Sequence, residues 1–147
     1  DYCSVSKTKK HILQFDQEYD FELIGICSHH NDYRLAWGMN ELLGIGLTKT
    51  DEEHIVINKK GEIQSQHSKY VFKDKENLIT YYLVKNKGQG KYLIPEKPTI
   101  DYFLFLYENH IWEILELNNR LKEIPSVLGA YIFEPIELQS TEQIVFE

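Results

Sequence analysis

The stretch Thr99–Glu108, "TIDYFLFLYE", decides the architecture because it is apolar on both of its alternating faces. Ile100, Tyr102, Leu104 and Leu106 fall on one face, and Phe103, Phe105 and Tyr107 on the other. A strand with two apolar faces belongs in the interior of a sheet covered on both sides. The segment 19–29, "YDFELIGICSH", has the same character, with Phe21, Leu23 and Cys27 on one set and Ile24 and Ile26 on the other. It reads as a second central strand.

Helical spacing appears twice. In "HNDYRLAWGMNELLGI" the residues Leu35, Ala36, Met39, Leu42 and Leu43 recur after a cap at Asn31 or Asp32, and Gly44 and Gly46 supply stop signals. This predicts a helix near Asp32 to Leu43. A second helix is predicted near His110 to Ile124, capped by Asn109 and closed by Pro125. Its expected apolar stripe is Ile111, Ile114, Leu115, Leu121 and Ile124, and Glu116 and Arg120 stand at the spacing of an i,i+4 ion pair.

Between the helices, "HIVINKKGEIQSQ" reads as a hairpin turning at Gly61, and "SKYVF" and "LITYYLVK" as strands joined by the charged turn "KDKEN". A last strand, "GAYIFEPIEL", precedes a tail in which Ile144, Val145 and Phe146 are expected to add a short edge pairing. The order is strand, helix, several antiparallel strands, helix, strand. This is the grammar of a single α+β domain: a two-layer sandwich with a mainly antiparallel sheet and two helices on one face, ferredoxin-like with an extra hairpin. An N-terminal segment of about ten residues is expected to fray.

Two helices cover one face of such a sheet, so the other needs extra chain or a partner. On that ground Phe103, Phe105 and Tyr107 are candidate interface residues, in a homodimer or against an unidentified protein.

With 147 residues, 42% hydrophobic and 13% aromatic, the chain is long enough for one well-filled core. No apolar run approaches the roughly 20 residues that span a bilayer, and no signal-peptide core follows the N-terminal lysines. A cytoplasmic location without membrane attachment is expected. A net charge of -7 disfavours a protein built to grip a phosphate backbone, and the lysine clusters 59–60, 73–75 and 85–91 fall where turns are expected. The aromatics Tyr81, Tyr82, Phe103, Phe105 and Tyr107 suit a core or a protein interface better than single-stranded RNA, since no RNP signature accompanies them.

Upstream of the central strand stands "LIPEKPTIDYFL". It resembles the signature of the IPExxxVDY family of bacterial proteins, with Ile94, Pro95, Glu96, Asp101 and Tyr102 matching and Ile100 in place of the Val. "DFELIGI" followed by "NDYRLAWGMN", and "IPSVLGAYIFEP", extend the similarity over essentially the whole chain. The resemblance implies a small cytoplasmic bacterial protein and supplies no catalytic or ligand residues.

The residues themselves support a structural reading of the motif. Pro95 and Pro98 confine the backbone and deliver it into the strand. Asp101, in an apolar strand, needs donors, and Arg34, one of two arginines, is a candidate bidentate partner tethering the strand to the first helix. Glu96 with Asp101 and Arg34 is the competing small-molecule or enzyme site, weakened by the absence of a neighbouring nucleophile. Cys27, His29 and His30 in "CSHH" lack a second ligand pair at metal-site spacing, so no metal and no cofactor is expected there. Cys27 reads as an inert thiol in an apolar flank, Cys3 as a free one, and "NKGQGK" as a turn and not a phosphate loop.

Overall fold

The computed structural model describes residues 19–146, so Cys3 and the segment expected to fray lie outside the described residues. The elements are β1 (Phe21–Ser28), α1 (Asp32–Leu43), β2 (Thr48–Lys49), β3 (His54–Ile57), β4 (Ile63–His67), β5 (Lys69–Asp74) and β6 (Ile79–Lys85). There follow β7 (Lys87–Gly88), β8 (Lys91–Tyr92), β9 (Tyr102–Tyr107), α2 (Ile114–Leu121) and β10 (Val127–Phe133), with 3-10 turns at Pro135–Glu137 and Gln139–Gln143.

One six-stranded sheet runs β10-β1-β9-β6-β5-β2, and every neighbouring pair is antiparallel. The four strands β10, β1, β9 and β6 with α1 and α2 give the βαββαβ order of a ferredoxin-like domain. Inserted between α1 and β6 are β2, the β3–β4 hairpin and β5. The two strands with double apolar faces, β1 and β9, are adjacent at the centre, in register from Phe21 opposite Tyr107 to Ile26 opposite Tyr102.

The first helix follows its sequence signals closely. The Asn31 side chain accepts the Arg34 N–H at 3.0 Å, Gly44 takes a left-handed φ of 66°, and Leu35, Ala36 and Met39 are buried. The second is shorter than expected. Glu113 caps it, accepting from the Leu115 and Glu116 amides, each at 3.1 Å. Asn109 instead folds the preceding residues into a turn, accepting from the Ile111 and Trp112 amides at 3.2 and 2.8 Å. Ile111 and Leu115 are exposed, and the buried stripe is Leu117, Leu121 and Ile124. No Glu116–Arg120 ion pair forms among the described residues. Arg120 reaches across to the Leu42 carbonyl at the end of α1 (3.0 Å) and lies 5.5 Å from the centre of the Trp112 ring. A carbonyl at a helix C-terminus together with a ring face outweighs an exposed pair contributing a few tenths of a kcal/mol.

Both sheet faces are covered by this chain. Under the helices lie Ile24, Ile26, Tyr81, Leu83, Tyr102, Leu104 and Leu106. The opposite cluster joins Leu23, Val84, Phe103 and Phe105 to Leu93, Ile94 and Ile100 from the motif and to Leu138 and Ile144 from the tail. Phe103 and Phe105 are 0% exposed. The expectation that they form an interface is therefore corrected: they are core. Tyr107 is only partly buried, but it too packs against this cluster and against Phe146. The tail does not add an edge strand. Its 3-10 turns fold over the second face, and Phe146 stacks on Tyr82 with ring centres 4.1 Å apart.

His54 and His67, opposite each other in the β3–β4 hairpin, are buried. A carbonyl only accepts, so His67 Nδ1 donates to the Lys85 carbonyl (2.9 Å) and Nε2 accepts from the Ser65 hydroxyl (2.7 Å). Burial, then the nearby charge of Lys69, pushes His54 down to about 4, and burial also lowers His67. Both fold as neutral imidazoles, whereas the unfolded chain takes up protons near pH 6.5. Stability should be fully present above about pH 6.5 and fall as pH drops through the window to about 4, by on the order of 2 kcal/mol. Urea denaturation at steps across that window checks this, and His54→Leu should flatten the slope.

Candidate functional surface

The motif loop is fastened through Glu96, Asp101 and Tyr102. Glu96 holds the tail: Oε2 accepts the Ser140 amide at 2.8 Å and Oε1 the Ser140 hydroxyl at 2.6 Å. Partial burial opposes the Glu96 charge, but these Ser140 bonds outweigh it and keep the carboxyl below its usual range. Ile94 and Ile100 anchor the loop in the second-face core. Asp101 Oδ2 accepts the Ser28 amide at 2.8 Å, and the Asp101 amide donates to Ile26 at 3.0 Å. The Tyr102 hydroxyl donates to the His30 carbonyl at 3.1 Å. Burial, with the charges of Asp32 and Asp101, pushes that phenol up to about 12, so it stays protonated.

The tether proposed for Asp101 thus exists but runs to β1 and not to α1. No Arg34–Asp101 ion pair forms among the described residues; Arg34 lies on the exposed side of α1. The physical reason is that the Ser28 amide at the end of β1 needs an acceptor, and Asp101 meets it from the adjacent strand. We expect Asp101→Ala to cost about 1 to 2 kcal/mol through the orphaned amide and Arg34→Ala under about 0.5 kcal/mol. A double-mutant cycle should be additive within about 0.5 kcal/mol.

The knot of the loop is Asn86, which is fully buried between β6 and β7. Its side-chain amide donates to the carbonyls of Lys97 (3.0 Å) and Ile100 (2.8 Å) and its Oδ1 accepts the Ile94 amide (2.9 Å). Its backbone carbonyl takes the Leu93 amide at 2.7 Å, and its amide donates to Asp101 at 2.9 Å. Beside it, "NKGQGK" is a β7–β8 hairpin. Gly88 is required there, because a Cβ would stand 2.0 Å from the Gln66 carbonyl oxygen of β4. A second polar hub is Asp32, which accepts from the Ser68 hydroxyl and lies 3.6 Å from Lys49 Nζ. Burial opposes its charge, but these partners overcome that and hold the carboxyl below its usual value.

Two concavities adjoin at Asn31. One is a polar cleft of about 510 Å³ lined by Ser28, His29, His30 and Asn31, by Lys85, Lys87 and Tyr92, and by Pro98, Ile100, Asp101 and Tyr102. The other is a shallow depression of about 390 Å³ on the outer face of α1, formed by Asn31, Tyr33, Arg34 and Trp37. Tyr33 is 69% exposed and Trp37 59%, one helical turn apart. Asp101 lines the cleft, Arg34 the depression, and Glu96 neither, so the three residues suggested as a small-molecule site do not converge. Cys27 donates weakly to the Thr99 carbonyl (3.5 Å), and burial, then the Asp101 charge, pushes its thiol up, away from a thiolate nucleophile. Among the described residues no group of three His, Cys, Asp or Glu side chains is placed to hold a metal ion, and no helix is long and apolar enough to cross a membrane.

Comparison with protein-family models and with curated proteins finds no match to this chain.

Proposed function

We propose that this chain is a non-catalytic protein-interaction domain of the cytoplasm, related to the IPExxxVDY family of bacterial proteins, and that its contact surface is the outer face of α1. The observation that carries the reading is the exposure of Tyr33 and Trp37 around Arg34. Tyr, Trp and Arg are the residue types that dominate binding energy at protein interfaces, and a helix already anchored by Leu35, Ala36 and Met39 presents them on a backbone that needs no further ordering. The motif supports the reading indirectly: Glu96, Asp101 and Tyr102 each hold a neighbouring backbone segment in place. Affinity isolation from host cells with the wild-type chain and with a Tyr33→Ser/Trp37→Ser variant tests it. A partner retained by wild type and by an exposed-residue control, Leu78→Ser, but lost by the double variant is expected. Equal recovery by all three would refute the α1 surface. Light scattering on the same proteins reads self-association, which should weaken in the double variant if the partner is a second copy.

A further inference from the structure

The polar cleft beside α1 is an open groove whose basic side chains, His29, His30, Lys85 and Lys87, are exposed on a hydrogen-bonded backbone. Its volume of about 510 Å³ falls in the usual range of small-molecule pockets, about 300 to 1,000 Å³. In a chain of net charge -7 it gathers four basic side chains, Lys85, Lys87, His29 and His30, against one lining carboxylate, Asp101, with the Asp32 carboxylate close enough to feel Lys85. That carboxylate already accepts the Ser28 amide. Among the described residues the Lys49–Asp32 contact is the one ion pair, so the ammonium groups of Lys85 and Lys87 have no carboxylate within 4.0 Å there.

The backbone under these groups is fixed. Lys85 is held through its amide to Ser68 (2.9 Å) and through its carbonyl to His67 (2.9 Å), and Lys87 pairs with Tyr92. The His29–His30 turn is pinned by the Tyr102 hydroxyl on the His30 carbonyl and by the His30 amide on Ser28 Oγ (3.2 Å). Tyr92 and Pro98 add ring surface to the same cleft.

We propose that this cleft binds a small organic phosphate, its phosphate among Lys85, Lys87 and the two imidazoles and its organic body against Tyr92 and Pro98. Ammonium groups and imidazole N–H donors on a preorganised backbone suit a dianion, and the adjacent rings suit an aromatic or sugar body. The test is NMR titration of the 15N-labelled chain with phenyl phosphate, inorganic phosphate and benzoate. Saturable shifts at His29, His30 and Lys87 with phenyl phosphate are expected, with inorganic phosphate weaker because it lacks the body and benzoate weaker because it carries a single charge. Lys87→Ala should weaken phenyl phosphate binding by about tenfold, and Lys60→Ala, on the β3–β4 turn, should leave it unchanged. No saturable shift up to about 10 mM, a range that reaches only very weak affinity, would overturn the proposal. Benzoate binding as tightly, or equal losses in both lysine variants, would overturn it as well.

Discussion

Asn86→Ala should lower the unfolding free energy by about 3 to 5 kcal/mol, among the largest effects of any polar substitution in this chain. Three side-chain hydrogen bonds vanish at a fully buried position, leaving the Ile94 amide and the Lys97 and Ile100 carbonyls without that partner. Each neutral bond contributes about 1 kcal/mol, and a stranded buried group costs about 1 to 3. Asn86→Asp should be no milder, since it removes the donor to two carbonyls and places a charge where water is excluded. Equilibrium urea denaturation measures both. A loss below about 1 kcal/mol would mean that the loop holds its shape without the asparagine.

Phe105→Ala should cost a comparable 3 to 5 kcal/mol, roughly the value for a buried phenylalanine whose cavity the surroundings fail to fill. Its ring is 0% exposed and lies 5.0 Å from the Phe146 ring and 5.3 Å from that of Phe21. The same substitution at an interface would instead change the oligomeric state at nearly constant monomer stability. Denaturation combined with sedimentation therefore decides between core and interface, and a stable variant that changed only its association would return Phe105 to the surface. Phe146→Ala should show the same sign with a smaller loss, because that ring is only partly buried.

These two residues also mark where the sequence was readable. Double-faced apolarity in "DYFLFLYE" and "FELIGICS" was enough to place both strands at the centre of the sheet, and local capping chemistry placed α1 at its observed limits. The inference that Phe103 and Phe105 needed cover was sound physically. The source of the cover was not legible, because "QSTEQIVFE" carries no periodicity that distinguishes a tail folded across a sheet from an edge strand. The start of the second helix was misplaced for a related reason: Asn109 serves a turn and a helix cap equally well, and only tertiary contacts choose. Asn86 was hidden in a stretch that reads as a polar hairpin tip, since a buried asparagine and an exposed one have the same letter. The position of Asp101 in an apolar strand shows that it needs a donor, but that donor is the Ser28 backbone amide, which no side-chain inventory displays.

The place of β1 in the sheet carries a consequence for how the chain acquires its structure. Its two neighbours are β9 and β10, whose residues are synthesised long after it: Phe21 waits for Tyr107, and Leu23 for Phe133. The β5–β6 hairpin, with Lys73 opposite Thr80 across a short turn, has no such delay. Closing the distant pairs spends chain entropy before any burial is gained, the circumstance that makes folding slow and leaves strands open to other chains meanwhile. A nascent chain would therefore carry this apolar segment unpaired until β9 and β10 have been made, and it is in that interval, before the sheet closes, that β1 is most open to pairing with other chains.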